Sequence, residues 1–202
     1  MRNIARLREF IQSFTRLIDK AGDDEKRIFS DGKKLLSKLI THDDWLPDAF
    51  AQPHPEHYQQ YLLYCDPLER FSVVSFVWGP GQKTPVHDHT VWGMVGVMRG
   101  AESCEEFVLE PAAARLRPTG VHEVKPGGID LVSPRVGDIH RVSNALADRA
   151  SISIHVYGAN IGAVERHVYD DAGRGKPFVS GYSNTVLPNL WDRSGKAAAA
   201  VN

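Results

Sequence analysis

Cysteine is scarce in this chain. Only Cys65 and Cys104 occur among 202 residues, with no C-x-x-C spacing. That excludes a disulfide framework and leaves two reduced thiols, as expected of a cytoplasmic protein. Long apolar runs are missing too. The opening "MRNIARLREFIQSFTRLIDKAG" carries charges throughout, so it is expected to be neither a signal peptide's apolar stretch nor a membrane span. No block of Lys or Arg stands out, and the formal net charge is only −1. A nucleic-acid or anionic-membrane partner is therefore not expected. What is present is ordinary for a globular chain: 42% hydrophobic and 24% charged residues. The length suits one domain, alone or with an appendage, and allows a sizeable core.

About a quarter of the way in, the patterning changes. Ile4, Leu7, Phe10, Ile11, Phe14, Leu17 and Ile18 recur at the period of an amphipathic helix. The stretch "GDDEKRIFSDGKKLLSKLITHDDW" offers Asp and Ser caps and a second apolar stripe at Leu35, Leu36, Leu39 and Ile40. From about Tyr58 the pieces become strand-like: "YQQYLLYC", "RFSVVSFVWG", "GMVGVMRG", "EEFVLE", "ARLRP", "GIDLVS" and "ASISIHVYG". Turn signals separate them, and many short strands at roughly 8–12-residue spacing predict an all-β sandwich or barrel. The expected organisation is a helical segment over 1–50 packed on a mainly β barrel over 51–190. A small-residue tail over 191–202 is expected to be flexible. No internal repeat of fixed period is present.

Two histidines stand one residue apart in "TPVHDHTVWGMVGVMRG", residues 84–100. On a strand, His87 and His89 face the same way. Further on, "GIDLVSPRVGDIHRVSN" places His140 three residues after Gly137, which allows a tight turn before a neighbouring strand. Three imidazoles could hold a divalent cation and leave positions open for catalysis. Spacing alone does not choose the metal, and three histidines also suit a zinc hydrolase. The remaining histidines, His42, His54, His57, His122 and His167, are expected to be surface or packed residues.

The paired spacing resembles the two motifs of the cupin superfamily over most of the chain after residue 70. The resemblance implies a small β-barrel, or jelly roll, following the helical segment. Most metal-binding cupins carry a Glu ligand where this chain has Gly93. The implied ligand set is therefore His87, His89 and His140 with no carboxylate. Three neutral imidazoles leave a divalent cation's charge in place, which favours an anionic ligand such as a thiolate.

A second constellation lies in "ASISIHVYG". Ser153, His155 and Tyr157 alternate with Ile152, Ile154 and Val156, so the two sets take opposite faces of a strand. Periodicity alone favours an amphipathic strand whose polar side is wet. A hydrogen-bond relay holding a phenol beside the metal is the functional reading. Here "HDHT", "GDIHRVSN" and "SISIHVYG" are similar to the thiol dioxygenases, the cupins related to cysteine dioxygenase. That family implies non-haem Fe(II), dioxygen as co-substrate and oxidation of a small thiol to a sulfinic acid.

Mammalian-type members have a cysteine, cross-linked to the relay tyrosine, at the position of Gly93. They also grip the substrate carboxylate with an arginine on an earlier strand. Here that strand, "HYQQYLLYC", aligns Gln59 with it, and a one-residue loop shift would substitute Gln60. The pattern resembles the bacterial 3-mercaptopropionate dioxygenase branch, in which an arginine after the relay tyrosine takes the carboxylate; Arg166 matches. The expected function is oxidation of 3-mercaptopropionate, with cysteine dioxygenase and a non-oxygenase metal-binding cupin as alternatives. Trp78, Trp92, Val142 and Met94 are expected to wall the site from water.

Overall fold

The computed structural model describes residues 4–110 and 115–192. Beyond its first two residues, the expected tail at 191–202 lies outside the described residues. Two helices lead, α1 (Ala5–Ala21) and α2 (Glu25–Ile40). In α1 the periodic apolar residues from Leu7 to Ile18 are buried. Asp24 caps α2 by accepting from the Arg27 backbone N–H at 3.1 Å. Ser30 and Ser37 lie inside α2, so neither starts it. Among the described residues no helix is long and apolar enough to cross a membrane.

Among the described residues eleven strands follow: β1 (Gln59–Cys65), β2 (Ser72–Trp78), β3 (Val86–His87), β4 (Gly93–Arg99), β5 (Glu102–Glu110), β6 (Arg115–Val124), β7 (Ile129–Val132), β8 (Ile139–Asn144), β9 (Ser151–Tyr157), β10 (Arg166–Tyr169) and β11 (Gly175–Phe178). They form two antiparallel sheets, ordered β1-β2-β9-β4-β7 and β11-β10-β3-β8-β5-β6. This is the expected mainly β, cupin-type barrel with a helical N-terminal segment. The short pieces β3, β10 and β11 are strands that local patterning did not mark.

The five-stranded sheet is covered on both faces. Val73, Val77, Met94, Met98, Ile152, Ile154 and Val156 share one apolar core with α1 and α2. The opposite face of β2 and β9 presents Val74, Phe76, Trp78 and Tyr157 to a second cluster inside the barrel. The helices thus dry one face of the sheet so that its other face can carry polar groups in a water-poor interior. Burying each large apolar side chain contributes roughly 1.5–3 kcal/mol, which offsets the cost of those polar groups. The C-terminal segment covers the edge of β1: Ser183 donates its backbone N–H to the Gln60 carbonyl at 2.9 Å, and Leu62 N–H reaches Asn184 Oδ1 at 2.8 Å.

Candidate metal centre

His87 ends β3, His140 lies on β8, and the two are register partners. His89 follows just past β3. The three side chains are buried, and their ligand atoms lie within 4.8 Å of one another. Ring centroids are separated by 4.9, 4.9 and 4.8 Å. Gly137 reaches the turn before His140 at φ 129°, a conformation that favours glycine.

The donor chemistry fits a cation. Nδ1 of His87 lies 3.1 Å from the Pro85 carbonyl, that of His89 3.0 Å from Asp138, and that of His140 3.5 Å from the Cys104 sulfur. With each Nδ1 so engaged, each Nε2 is left for a metal, the arrangement by which outer partners orient histidine ligands. Burial, reinforced by the neighbouring His89 ring, lowers His87 to about 3. It holds His140 well below its ordinary value too. Both rings are therefore neutral, with lone pairs available. Burial opposes the charge of Asp138, but hydrogen bonds from the His89 ring and from the Thr90 and His89 backbone keep that carboxyl below its usual range. Sequence reading missed Asp138, although its place two residues before His140 in "GDIH" was visible.

Ser153, His155 and Tyr157 face the same interior. Ser153 Oγ lies 2.7 Å from His155 Nε2, and His155 Nδ1 lies 2.7 Å from the Tyr157 hydroxyl. All three are buried, at 0%, 3% and 2% exposure, so the wet-strand alternative is excluded. Aromatic side chains of the adjacent strand β2 cover them. Trp78 donates its indole N–H to Ser153 Oγ at 3.4 Å, and Phe76 stacks on the His155 ring at 4.1 Å. The Tyr157 ring lies 5.5 Å from that of His89, and burial raises its phenol pKa, keeping the proton on. A Cβ on Gly93 would sit 2.8 Å from the Tyr157 ring. Glycine at that position is what lets the phenol lie flat beside the metal ligands.

Behind the relay lies a buried carboxyl that sequence reading did not mark. Glu102 is 1% exposed. Its Oε1 receives Ser151 Oγ at 3.4 Å, and Oε2 has no partner among the described residues. Burial raises its pKa to about 8 against the weaker pull of Ser153 and Ser151.

A cavity of ≈ 40 Å³ joins the three histidines, His155 and Tyr157 to Arg166, Tyr58, Gln60 and Phe178. That is room for a molecule of a few heavy atoms, since one water needs about 10–15 Å³ measured this way. Arg166 opens β10 and is 4% exposed. Its Nη2 donates to Ser180 Oγ at 2.7 Å, and its guanidinium carbon lies 4.7 Å over the Phe178 ring. Its Nε has no partner, and among the described residues no carboxylate pairs with it.

Three sequence expectations need correction. Gln60, not Gln59, lines the cavity. The Gln59 amide instead donates to the Tyr58 carbonyl at 3.2 Å, because Tyr58, just before β1, and Gln60 on it both face the cavity. Trp78 and Val142 do wall the cavity. Trp92 and Met94 belong to the helix-facing core, Trp92 packing on Phe14 and Phe29. Their strand position has the parity opposite to the inward face.

Fold and site define a two-sheet β barrel with a candidate three-histidine metal centre. No protein-family model matches the chain. Solved structures with similar backbones include a conserved protein with a double-stranded β-helix domain from Klebsiella pneumoniae. It is 18% identical, with 60% of this chain and 95% of that chain covered and a TM-score of 0.46. Another is a cupin-like protein from Thermotoga maritima, 18% identical over 61% of this chain and 77% of that one, with a TM-score of 0.42. A third is oxalate oxidase in complex with the substrate analogue glycolate, 16% identical over 59% of this chain and 60% of that one, with a TM-score of 0.44.

Proposed function

We propose that the protein is a non-haem Fe(II) thiol dioxygenase that converts a small thiol carboxylate, 3-mercaptopropionate, to its sulfinic acid. The observation that carries this reading is a buried guanidinium with no carboxylate partner among the described residues, placed in one small cavity with three histidines and a relay phenol. His87, His89 and His140 would hold the iron. When bound there, Fe(II) would accept the substrate sulfur and activate dioxygen, whose two atoms end on that sulfur.

The remaining work falls to the protein. Arg166 pairs with the substrate carboxylate, its idle N–H groups supplying charge-assisted hydrogen bonds. Ser180 and Phe178 hold the guanidinium still, and Gln60, whose amide donates to the Gly181 carbonyl, lines the same cavity. His155 Nδ1 fixes the Tyr157 hydroxyl, which offers a hydrogen bond to the reacting groups. Trp78, Phe76 and Val142 keep bulk water out. Cysteine is the weaker substrate on this reading, since among the described residues none lining the cavity is acidic to meet its amine.

The test is oxygen uptake by iron-loaded protein with 3-mercaptopropionate and cysteine side by side, alongside zinc-loaded protein. One sulfinate per dioxygen, only with iron and faster with 3-mercaptopropionate, is the expected result. Uptake favouring cysteine would move the assignment to cysteine dioxygenase. No uptake with either thiol would leave a metal-binding cupin of other function.

A further inference from the structure

We propose that Cys104, His122 and Asp130 form a second metal site, for a thiophilic divalent cation such as Zn²⁺, at the seam between the two sheets. Their ligand atoms lie within 4.8 Å of one another. Each comes from a different strand: Cys104 from β5, His122 from β6 and Asp130 from β7. Cys104 and His122 are register partners, so their side chains share a face. β6 ends one sheet and β7 ends the other. Among the described residues no backbone ladder joins them there, and the His122–Asp130 pair bridges the gap at 2.7 Å.

The chemistry differs from that of the three-histidine centre. A thiolate and a carboxylate together neutralise a 2+ ion, and the sulfur selects zinc over magnesium or calcium. On binding, the ion displaces the Cys104 proton to solvent. In a tetrahedral zinc site, ligand atoms stand roughly 3.3–3.8 Å apart. The 2.7 Å His122–Asp130 hydrogen bond would open by about 1 Å to admit the ion. Both side chains are partly exposed and free to adjust. A separate cavity of ≈ 440 Å³, lined by Cys104, Asp130 and Glu106, opens beside the cluster and gives an ion a way in. Asp130, Glu106 and Glu105 set a negative potential around the sulfur.

The site has a consequence for the inner centre. The Cys104 sulfur also lies 3.5 Å from His140 Nδ1, and His140 lines both cavities. An outer ion would therefore tie the two sheets together at the back of the three-histidine centre and fix the partner of one of its ligands. The inference stands apart from what the inner centre catalyses.

Cobalt(II) added to the metal-free full-length chain is the probe, because only a sulfur ligand gives thiolate-to-cobalt charge-transfer absorption in the near ultraviolet. The inner centre has no sulfur ligand and is silent in that band. The expected result is a band in the wild type, in His87→Ala and in Cys65→Ser, with two cobalt ions per wild-type chain. Cys104→Ser should lose the band and one ion. His122→Ala, a substitution at a half-exposed position, should weaken that ion at least tenfold. Zn²⁺ should raise the Tm of His87→Ala but not of the His87→Ala, Cys104→Ser double variant. Absence of the band in the wild type, or its survival in Cys104→Ser, overturns the proposal.

Discussion

Replacing Glu102 with glutamine should stabilise the protein at alkaline pH and change little in acid. The carboxyl is buried, one oxygen has no partner, and its pKa rises from the ordinary 4.5 to about 8. In the unfolded chain it loses its proton near pH 4.5, whereas in the folded chain it keeps it until about pH 8. Between those limits the folded state binds one proton more than the unfolded state, so stability falls as pH rises and levels off above about 8. At about 1.4 kcal/mol per pH unit, the span amounts to roughly 3–5 kcal/mol. Glutamine keeps the shape and a hydrogen-bond donor without titrating, so the variant escapes this loss. Urea unfolding of both proteins from pH 5 to pH 8.5 measures it. Their stability difference should grow in favour of Glu102→Gln up to about pH 8 and then level off. A difference that stays flat, or that favours the wild type increasingly at high pH, would refute the reasoning.

Four other outcomes are expected. Asp138→Ala removes the partner of His89 Nδ1 and should weaken metal binding roughly 10–100-fold, read by competition with a chelator. Tyr157→Phe should retain metal and lose roughly 10²–10⁴-fold in turnover if the hydroxyl handles a proton; unchanged turnover would reduce the relay to packing. Arg166→Ala should lower kcat/KM for 3-mercaptopropionate at least tenfold, since each hydrogen bond to a charged group is worth about 1.5–3 kcal/mol. A neutral thiol such as 2-mercaptoethanol should lose less, and equal losses would place carboxylate recognition elsewhere. Gly93→Ala should impair turnover with metal content intact, because the new methyl meets the Tyr157 ring; wild-type turnover would show that the ring's position does not matter.

The parts legible in the sequence were those with a period or a spacing. Alternation along β9 separated Ser153, His155 and Tyr157 from the isoleucines, and the structure gives that alternation two buried faces rather than a wet one. The H-x-H and G-x-x-H spacings brought together three histidines from residues 87 to 140, since strand pairing converts a spacing into a point in space. What escaped was set by parity and by distant partners. Choosing between Gln59 and Gln60 needed the register of β1 against β2, and a one-residue slip turns every side chain to the other face. Trp92 and Met94 were misplaced for the same reason. Asp138, Tyr58, Phe178 and Ser180 gain their roles only through neighbours far along the chain, and Glu102 through a burial that no local pattern announces.

Gly93 sets two designs of metal centre in competition for the same space. The space a side chain would need at that position is filled by the Tyr157 ring and the Val132 side chain. A glutamate introduced there as a fourth ligand would have to evict the phenol, and a phenol introduced into a four-ligand barrel would have to evict the carboxylate. A glutamate added first would therefore push the Tyr157 ring from its place beside the metal ligands, so the two positions act as a coupled pair. A designer grafting either chemistry onto this barrel would treat positions 93 and 157 as one choice.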